Sequence, residues 1–92
     1  MAIRKVSIRH WLPIVTFCPV NNLPDLIYIE VEFRGDQFAE LYTVRKKVRQ
    51  IASMKKKFME DICDEVFMAF PECSSVTVTL ALGRHVVTRT EV

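Results

Sequence analysis

Apolar and polar residues alternate with a period of two at both ends of the chain and with a helical period in its middle. From Ile3 to Arg9, Val6 and Ile8 fall on one side and Lys5, Ser7 and Arg9 on the other, which predicts a half-buried first strand. Leu26 to Phe33 is the clearest strand: Ile27, Ile29, Val31 and Phe33 share one face, Tyr28, Glu30 and Glu32 the other. Between the two, His10 to Pro24 holds Pro13, Pro19, Pro24 and the Asn21-Asn22 pair, and reads as a long structured loop, a kind of segment that often carries function. Arg34-Gly35-Asp36 reads as a turn. From about Phe38 the period changes. Leu41, Val44, Val48 and Ile51 predict an amphipathic helix with a basic outer face, and Ser53 marks its break. A second helix is expected from about Lys55 to Phe70, with Met59, Ile62, Val66 and Phe70 on its buried stripe and Pro71 ending it. Val76, Val78, Leu80 and Leu82 then alternate with Thr77, Thr79 and Ala81, a third strand. Gly83 turns the chain into a fourth, His85 to Glu91. The order is ββααββ. Segregated strands and helices predict an α+β fold, an antiparallel sheet with both helices on one face.

Composition narrows the function classes. Ninety-two residues, 50% hydrophobic and 26% charged, predict a single packed domain over residues 1–92. Only two glycines are present, so neither a G-x-G-x-x-G dinucleotide loop nor a Walker phosphate loop can be built. A net charge of +2 does not by itself announce a nucleic-acid binder. Cys18, Cys63 and Cys73 are odd in number and widely spaced, which fits neither a disulfide framework nor a zinc site; no metal is expected. The apolar stretch Trp11 to Phe17 is short and broken by Pro13, and no run reaches the ~18 apolar residues of a membrane span. The expectation is a cytoplasmic protein with free thiols and no membrane association. An apolar half in so small a domain implies that some apolar surface meets other subunits.

Two residues bracket the proline-stiffened segment Cys18-Pro19-Val20-Asn21-Asn22-Leu23-Pro24-Asp25. A thiolate is a strong nucleophile at neutral pH, and a carboxylate nearby can move a proton to an atom that gains negative charge. The residue types equally allow Cys18 to be a small buried side chain and Asp25 a strand-start residue.

The run Phe17-Cys18-Pro19-Val20-Asn21-Asn22-Leu23-Pro24-Asp25, followed by the Leu26–Phe33 strand, resembles the 7-cyano-7-deazaguanine nitrile reductases of the tunnel-fold superfamily. That family carries a Cys-Pro with an Asp seven residues after the Cys, and a Phe-His-Glu-Asp-Cys stretch. Here the latter is matched by Phe58-Met59-Glu60-Asp61-Ile62-Cys63, with Met59 in place of the His. The reductases hold NADPH with a Lys- and aromatic-bearing motif that corresponds to Glu40-Leu41-Tyr42-Thr43-Val44-Arg45-Lys46. Tyr42 replaces its first Lys, Arg45 its second, and Lys46 stands at its aromatic position. With that motif broken and the His absent, the chain is more similar to the QueF-like archaeosine synthases of archaea. These are amidinotransferases that add ammonia to 7-cyano-7-deazaguanine in tRNA and use no cofactor.

The resemblance implies a tunnel fold that assembles into a ring, a pentamer or a decamer of two pentamers. It implies Cys18 as the nucleophile that forms a thioimide, Asp25 as its proton carrier and Glu60 as purine anchor, with His85 a further substrate-binding candidate. Glu60 could otherwise be an exposed helix carboxylate, and His85 a polar residue on a strand face. Arg45, Lys46, Lys47, Arg49, Lys55, Lys56 and Lys57 hold seven of the 13 Lys and Arg residues. They form either a tRNA phosphate-contacting face or a solvated helix surface. An NADPH-dependent nitrile reductase and a non-catalytic tunnel-fold RNA-binding or assembly protein are the competing readings.

Overall fold

Strict alternation of apolar side chains builds the sheet, and it runs further than the prolines suggest. The structure is a computed structural model and describes residues 7–34, 41–81 and 85–90. β1 spans Ser7–Phe17 and β2 spans Pro24–Arg34. Then come α1 (Leu41–Ala52), α2 (Met59–Ala69), β3 (Ser75–Leu80) and β4 (Val86–Thr90). The sheet is antiparallel in the order β1-β2-β3-β4. The ββααββ order and the α+β class are those expected from the periodicity. Ile3, Lys5, Val6, the Gly35-Asp36 turn, Phe38, Glu40, Leu82, Gly83 and Glu91 lie outside the described residues.

Residues 10–17 are strand, not the loop expected from the prolines, because alternation persists through Pro13: His10, Leu12, Ile14 and Thr16 are buried while Trp11, Pro13 and Val15 are exposed. The proline is tolerated for a geometric reason. The Val15 carbonyl accepts from the Met54 N–H at 2.7 Å and the Phe17 N–H donates to the Lys55 carbonyl at 2.9 Å, so both backbone groups point away from β2. Pro13 has the same parity. Its missing N–H faces the outer edge of the strand, where no ladder bond is lost.

One face of the sheet carries Leu12, Ile14, Ile27, Ile29, Val31, Phe33, Val76 and Val78 into the core. α1 packs over β1 and α2 over β3 and β4, and the helices touch each other. α1 buries Val44, Val48 and Ala52; Leu41, expected on this stripe, is exposed, and Ile51 is half-buried. The stripe therefore runs at four-residue spacing, which brings Ala52 rather than Leu41 onto the sheet. α2 buries Ile62, Cys63 and Val66 and starts at Met59, four residues later than expected. Lys55 and Lys56 are withheld from it because their segment pairs with β1, with a parallel bridge from Phe17 to Lys56. Phe33 stands edge-on to both His10 and Phe70, with centroids 5.7 and 6.1 Å away.

Glu32 was expected on the outward face with Tyr28 and Glu30, yet it is buried there. Arg9 and Arg34 each donate to its carboxylate at 2.9 Å, and the Ser74 hydroxyl donates at 3.2 Å. The Ser74 N–H bonds the Glu32 carbonyl at 2.7 Å, so the segment before β3 is pinned over this side chain. The buried carboxylate is thereby fully partnered, as burial of charge requires.

Replacing Phe33 with Ala removes a fully buried ring between two others. The expected loss is about 3–5 kcal/mol of unfolding free energy, read from chemical denaturation. A loss below about 1 kcal/mol would contradict this packing.

Candidate active site

Where β1 and β2 end, the chain closes on itself. The Cys18 N–H donates to the Leu23 carbonyl at 3.0 Å, and the Asn22 N–H returns to the Cys18 carbonyl at 2.8 Å. Asn22 is in the left-handed region with φ of 62°, a conformation asparagine tolerates better than most residues. The Asn21 side-chain oxygen accepts from the Leu23 N–H at 3.0 Å, a local Asx-type closure. Ladder register sets Thr16 opposite Asp25. Cys18 and Asp25, seven residues apart, are thus returned to the same end of the sheet.

The connector between the helices brings the third side chain. Ser53 N–H still bonds the Arg49 carbonyl at 2.9 Å, then Met54 turns left-handed with φ of 59°. The next two residues run along β1. This delivers Phe58, Met59 and Glu60, the start of α2, beside Cys18. Glu60 and Asp61 sit in the first turn of α2, where the helix dipole favours negative charge. His85, just before β4, supplies the fourth side chain.

These four segments wall a cleft of about 160 Å³. Its lining comprises Thr16, Cys18, Pro19, Asp25, Lys57, Phe58, Met59, Glu60 and His85. All four residues expected at the chemistry, Cys18, Asp25, Glu60 and His85, therefore share one cavity. His85 Nε2 lies 3.1 Å from Glu60 Oε1, and both side chains are more than half exposed. That hydrogen bond is the main reason the Glu60 carboxyl is held below its ordinary value; a bond from its own backbone adds to the effect. Met59, standing where the reductases have His, also lines this cleft.

Lys57 is a wall residue the sequence assigned elsewhere. Its Nζ lies 3.0 Å from the Ile51 carbonyl and 3.1 and 2.9 Å from the two oxygens of Glu65. It thus caps the C-terminal end of α1 and ties it to α2. The only sequence signal for this is its place three residues before Glu60.

The seven-cation run does not form one surface. Arg45, Lys46 and Arg49 line a groove of about 360 Å³ on the outer side of α1, together with Tyr42 and Gln50. Lys47 instead stands over the Phe70 ring at 5.3 Å. Lys55 and Lys56 are exposed on the connector, and Lys57 faces the cleft. Helical geometry explains the split: each successive residue of α1 is turned by about 100°, which carries Lys47 away from the groove, and Lys55 to Lys57 lie beyond the helix on the connector.

The other two thiols are packing groups. Cys63 and Cys73 are buried, whereas Cys18 is partly accessible. Cys63 Sγ donates to the Val76 carbonyl at 3.4 Å, and burial pushes its thiol pKa up. Among the described residues, no group of three or more His, Cys, Asp or Glu is placed to hold a metal ion. No helix there is long and apolar enough to cross a membrane.

Two outcomes follow. A limiting dose of iodoacetamide should label Cys18 first, giving one added group by intact mass, with Cys63 and Cys73 reacting only on unfolding. In His85→Ala the Glu60 carboxyl should titrate at higher pH, followed by carboxyl-carbon NMR. Because His85 lowers the Glu60 pKa, that contact supports the fold above the usual carboxylate range and is lost as pH falls through the Glu60 value. An unchanged Glu60 titration would rule the pairing out.

No family model matches the chain, and none of the curated proteins does. Among solved structures it is similar to the apo crystal structure of the archaeosine synthase QueF-Like. The TM-score is 0.70 at 14% identity, over 90% of this chain and 90% of that one. It is similar to the same degree to Caenorhabditis elegans 6-pyruvoyl tetrahydropterin synthase, with a TM-score of 0.70 at 9% identity, over 99% of this chain and 100% of that one. At such identities the likeness is one of fold. The chain has the tunnel fold, which it shares with two enzymes named for different products.

Proposed function

We propose that the chain is an archaeosine-synthase-type amidinotransferase acting on 7-cyano-7-deazaguanine carried in tRNA. The observation that supports this is the single cleft holding a thiol, a carboxylate and a Glu–His pair from four separate segments. In this reading the Cys18 sulfur adds to the nitrile carbon while Asp25 takes the thiol proton and passes it to the nitrile nitrogen. One carbon–sulfur bond forms and one carbon–nitrogen π bond breaks, leaving a thioimide. Ammonia then attacks the same carbon. The carbon–sulfur bond breaks, the thiol regains its proton, and a formamidine remains. Nitrile plus ammonia equals amidine, so no electrons are exchanged and no nicotinamide is consumed. Glu60 accepts hydrogen bonds from the N–H and amino groups of the guanine-like edge.

The tRNA is held, in this reading, through the α1 groove of Arg45, Lys46 and Arg49. Assembly into a pentameric ring, or a decamer of two, is supported by apolar side chains left exposed on the sheet face away from the helices. Trp11, Val15, Leu26 and Val86 are among them. The β4 edge also carries no further strand among the described residues.

Intact-mass spectrometry after mixing with 7-cyano-7-deazaguanine tests the chemistry. An adduct of the nitrile's full mass is expected, lost in Cys18→Ala, and ammonium should convert nitrile-bearing tRNA to the amidine without NADPH. An adduct that survives the Cys18 change, or NADPH oxidation on adding the nitrile, would sink the reading; the second result would indicate a nitrile reductase. For RNA, Arg45→Gln/Lys46→Gln/Arg49→Gln should flatten the log–log salt dependence of binding by about 2–3, while Lys47→Gln leaves it unchanged. Native mass spectrometry checks the ring.

A further inference from the structure

We infer that His85 reads the carbonyl of the ligand's lactam edge, forming with Glu60 a preassembled donor–acceptor pair for an –NH–C(=O)– group. The inference rests on the proposed role of Glu60. A guanine-like edge presents an amino group, a ring N–H and a carbonyl in a row. A carboxylate can satisfy the two donors but, being acceptor-only, not the carbonyl beside them. That carbonyl needs a donor next to Glu60.

His85 is placed to supply it. Its Nε2 is 3.1 Å from Glu60 Oε1. Glu60 is held ionised and can only accept, so this nitrogen carries the proton. The adjacent ring nitrogen and carbonyl carbon of a lactam place a donor and an acceptor side by side, and the Oε1–Nε2 pair is the complement of that arrangement. On ligand entry Oε1 exchanges the imidazole for the ring N–H, and the freed Nε2–H turns to the neighbouring carbonyl. Both side chains are more than half exposed, so the exchange leaves no group stranded without water or ligand.

Lys57, a cationic donor on the same wall, is already committed. The three N–H groups of Lys57 have three acceptors within 3.1 Å, the Ile51 carbonyl and both Glu65 oxygens. Taking Lys57 for the carbonyl would break the link between α1 and α2. His85 breaks only a contact that the ligand itself replaces.

Binding is measured by titration calorimetry in the full chain carrying Cys18→Ala, so that no covalent step intervenes. The probes are 7-cyano-7-deazaguanine and its 6-thioxo analogue, which keeps the ring N–H but offers a poorer acceptor. With His85 present the oxo compound should bind about three- to tenfold more tightly than the thioxo one, the range of a single hydrogen bond. His85→Ala should weaken the oxo compound by about that factor and bring the two near parity, and His85→Gln, which keeps a donor, should restore part of the preference. Since His85 and Glu60 are both exposed and their contact is screened by solvent, thermal unfolding of these variants should change little. A preference that persists undiminished in His85→Ala overturns the inference while leaving the cleft assignment standing. Failure of both compounds to bind when His85 is present, or unaltered binding in Glu60→Gln, overturns the Glu60 anchor and the inference with it.

Discussion

The register between β1 and β2 is the constraint on which everything else in this molecule depends. Eleven residue pairs run from Ser7 opposite Arg34 to Phe17 opposite Pro24. Side chains in a strand alternate between faces, so a slip by one residue would turn Leu12 and Ile14 out of the core and Trp11 and Val15 into it. The same slip would part Thr16 from Asp25. Because the ladder continues to its last pair at Phe17 and Pro24, only a six-residue closure separates the strands, and it is pinned by backbone bonds between Cys18, Asn22 and Leu23. The nucleophile candidate and its carboxylate are therefore held by the rigid end of a sheet and not by a free loop.

The second half of the cleft reaches this end through the connector between the helices. A left-handed Met54 is unfavourable for a residue with a side chain, and it persists because its N–H gains the Val15 carbonyl. The two following residues extend along the outer edge of β1, which serves two ends at once. It satisfies backbone groups that an edge strand would leave to solvent, and it aims the start of α2 at Cys18. Lys57 then locks the geometry by bridging the end of α1 to Glu65. Glu60 falls in the first turn of α2 for the same reason that any carboxylate is comfortable there: the unpaired N–H groups of that turn favour negative charge.

Fold and chemistry are separate statements about this chain. Two solved enzymes match it with the same TM-score, though they are named for different products, so the architecture does not choose between them. The chemistry of this chain is a local matter: a partly accessible thiol that lines one cleft with Asp25, a Glu60–His85 pair, and Met59 on the wall. Charge follows the same logic. The net charge of +2 conceals a cluster, and folding then divides that cluster into a groove on α1, a cation over Phe70, an exposed connector and one wall of the cleft.

The sequence by itself determined the element order, the inward faces of β2 and β3 and the break at Ser53, because period-two and helical patterns are local. It also singled out Cys18, Asp25, Glu60 and His85, though as separate positions spread over most of the chain. It misjudged residues 10–17, since a proline is a breaker only where its N–H is needed, and which N–H groups are needed depends on where the strand lies in the sheet. It likewise placed Leu41 on the core stripe and Lys57 on an outer basic face. Only the tertiary structure decided that β1 is an edge strand, that the connector lies along it, and that four distant segments meet in one cleft. Those outcomes rest on contacts between residues far apart in the chain, and such pairings leave no trace in the spacing of residues along it.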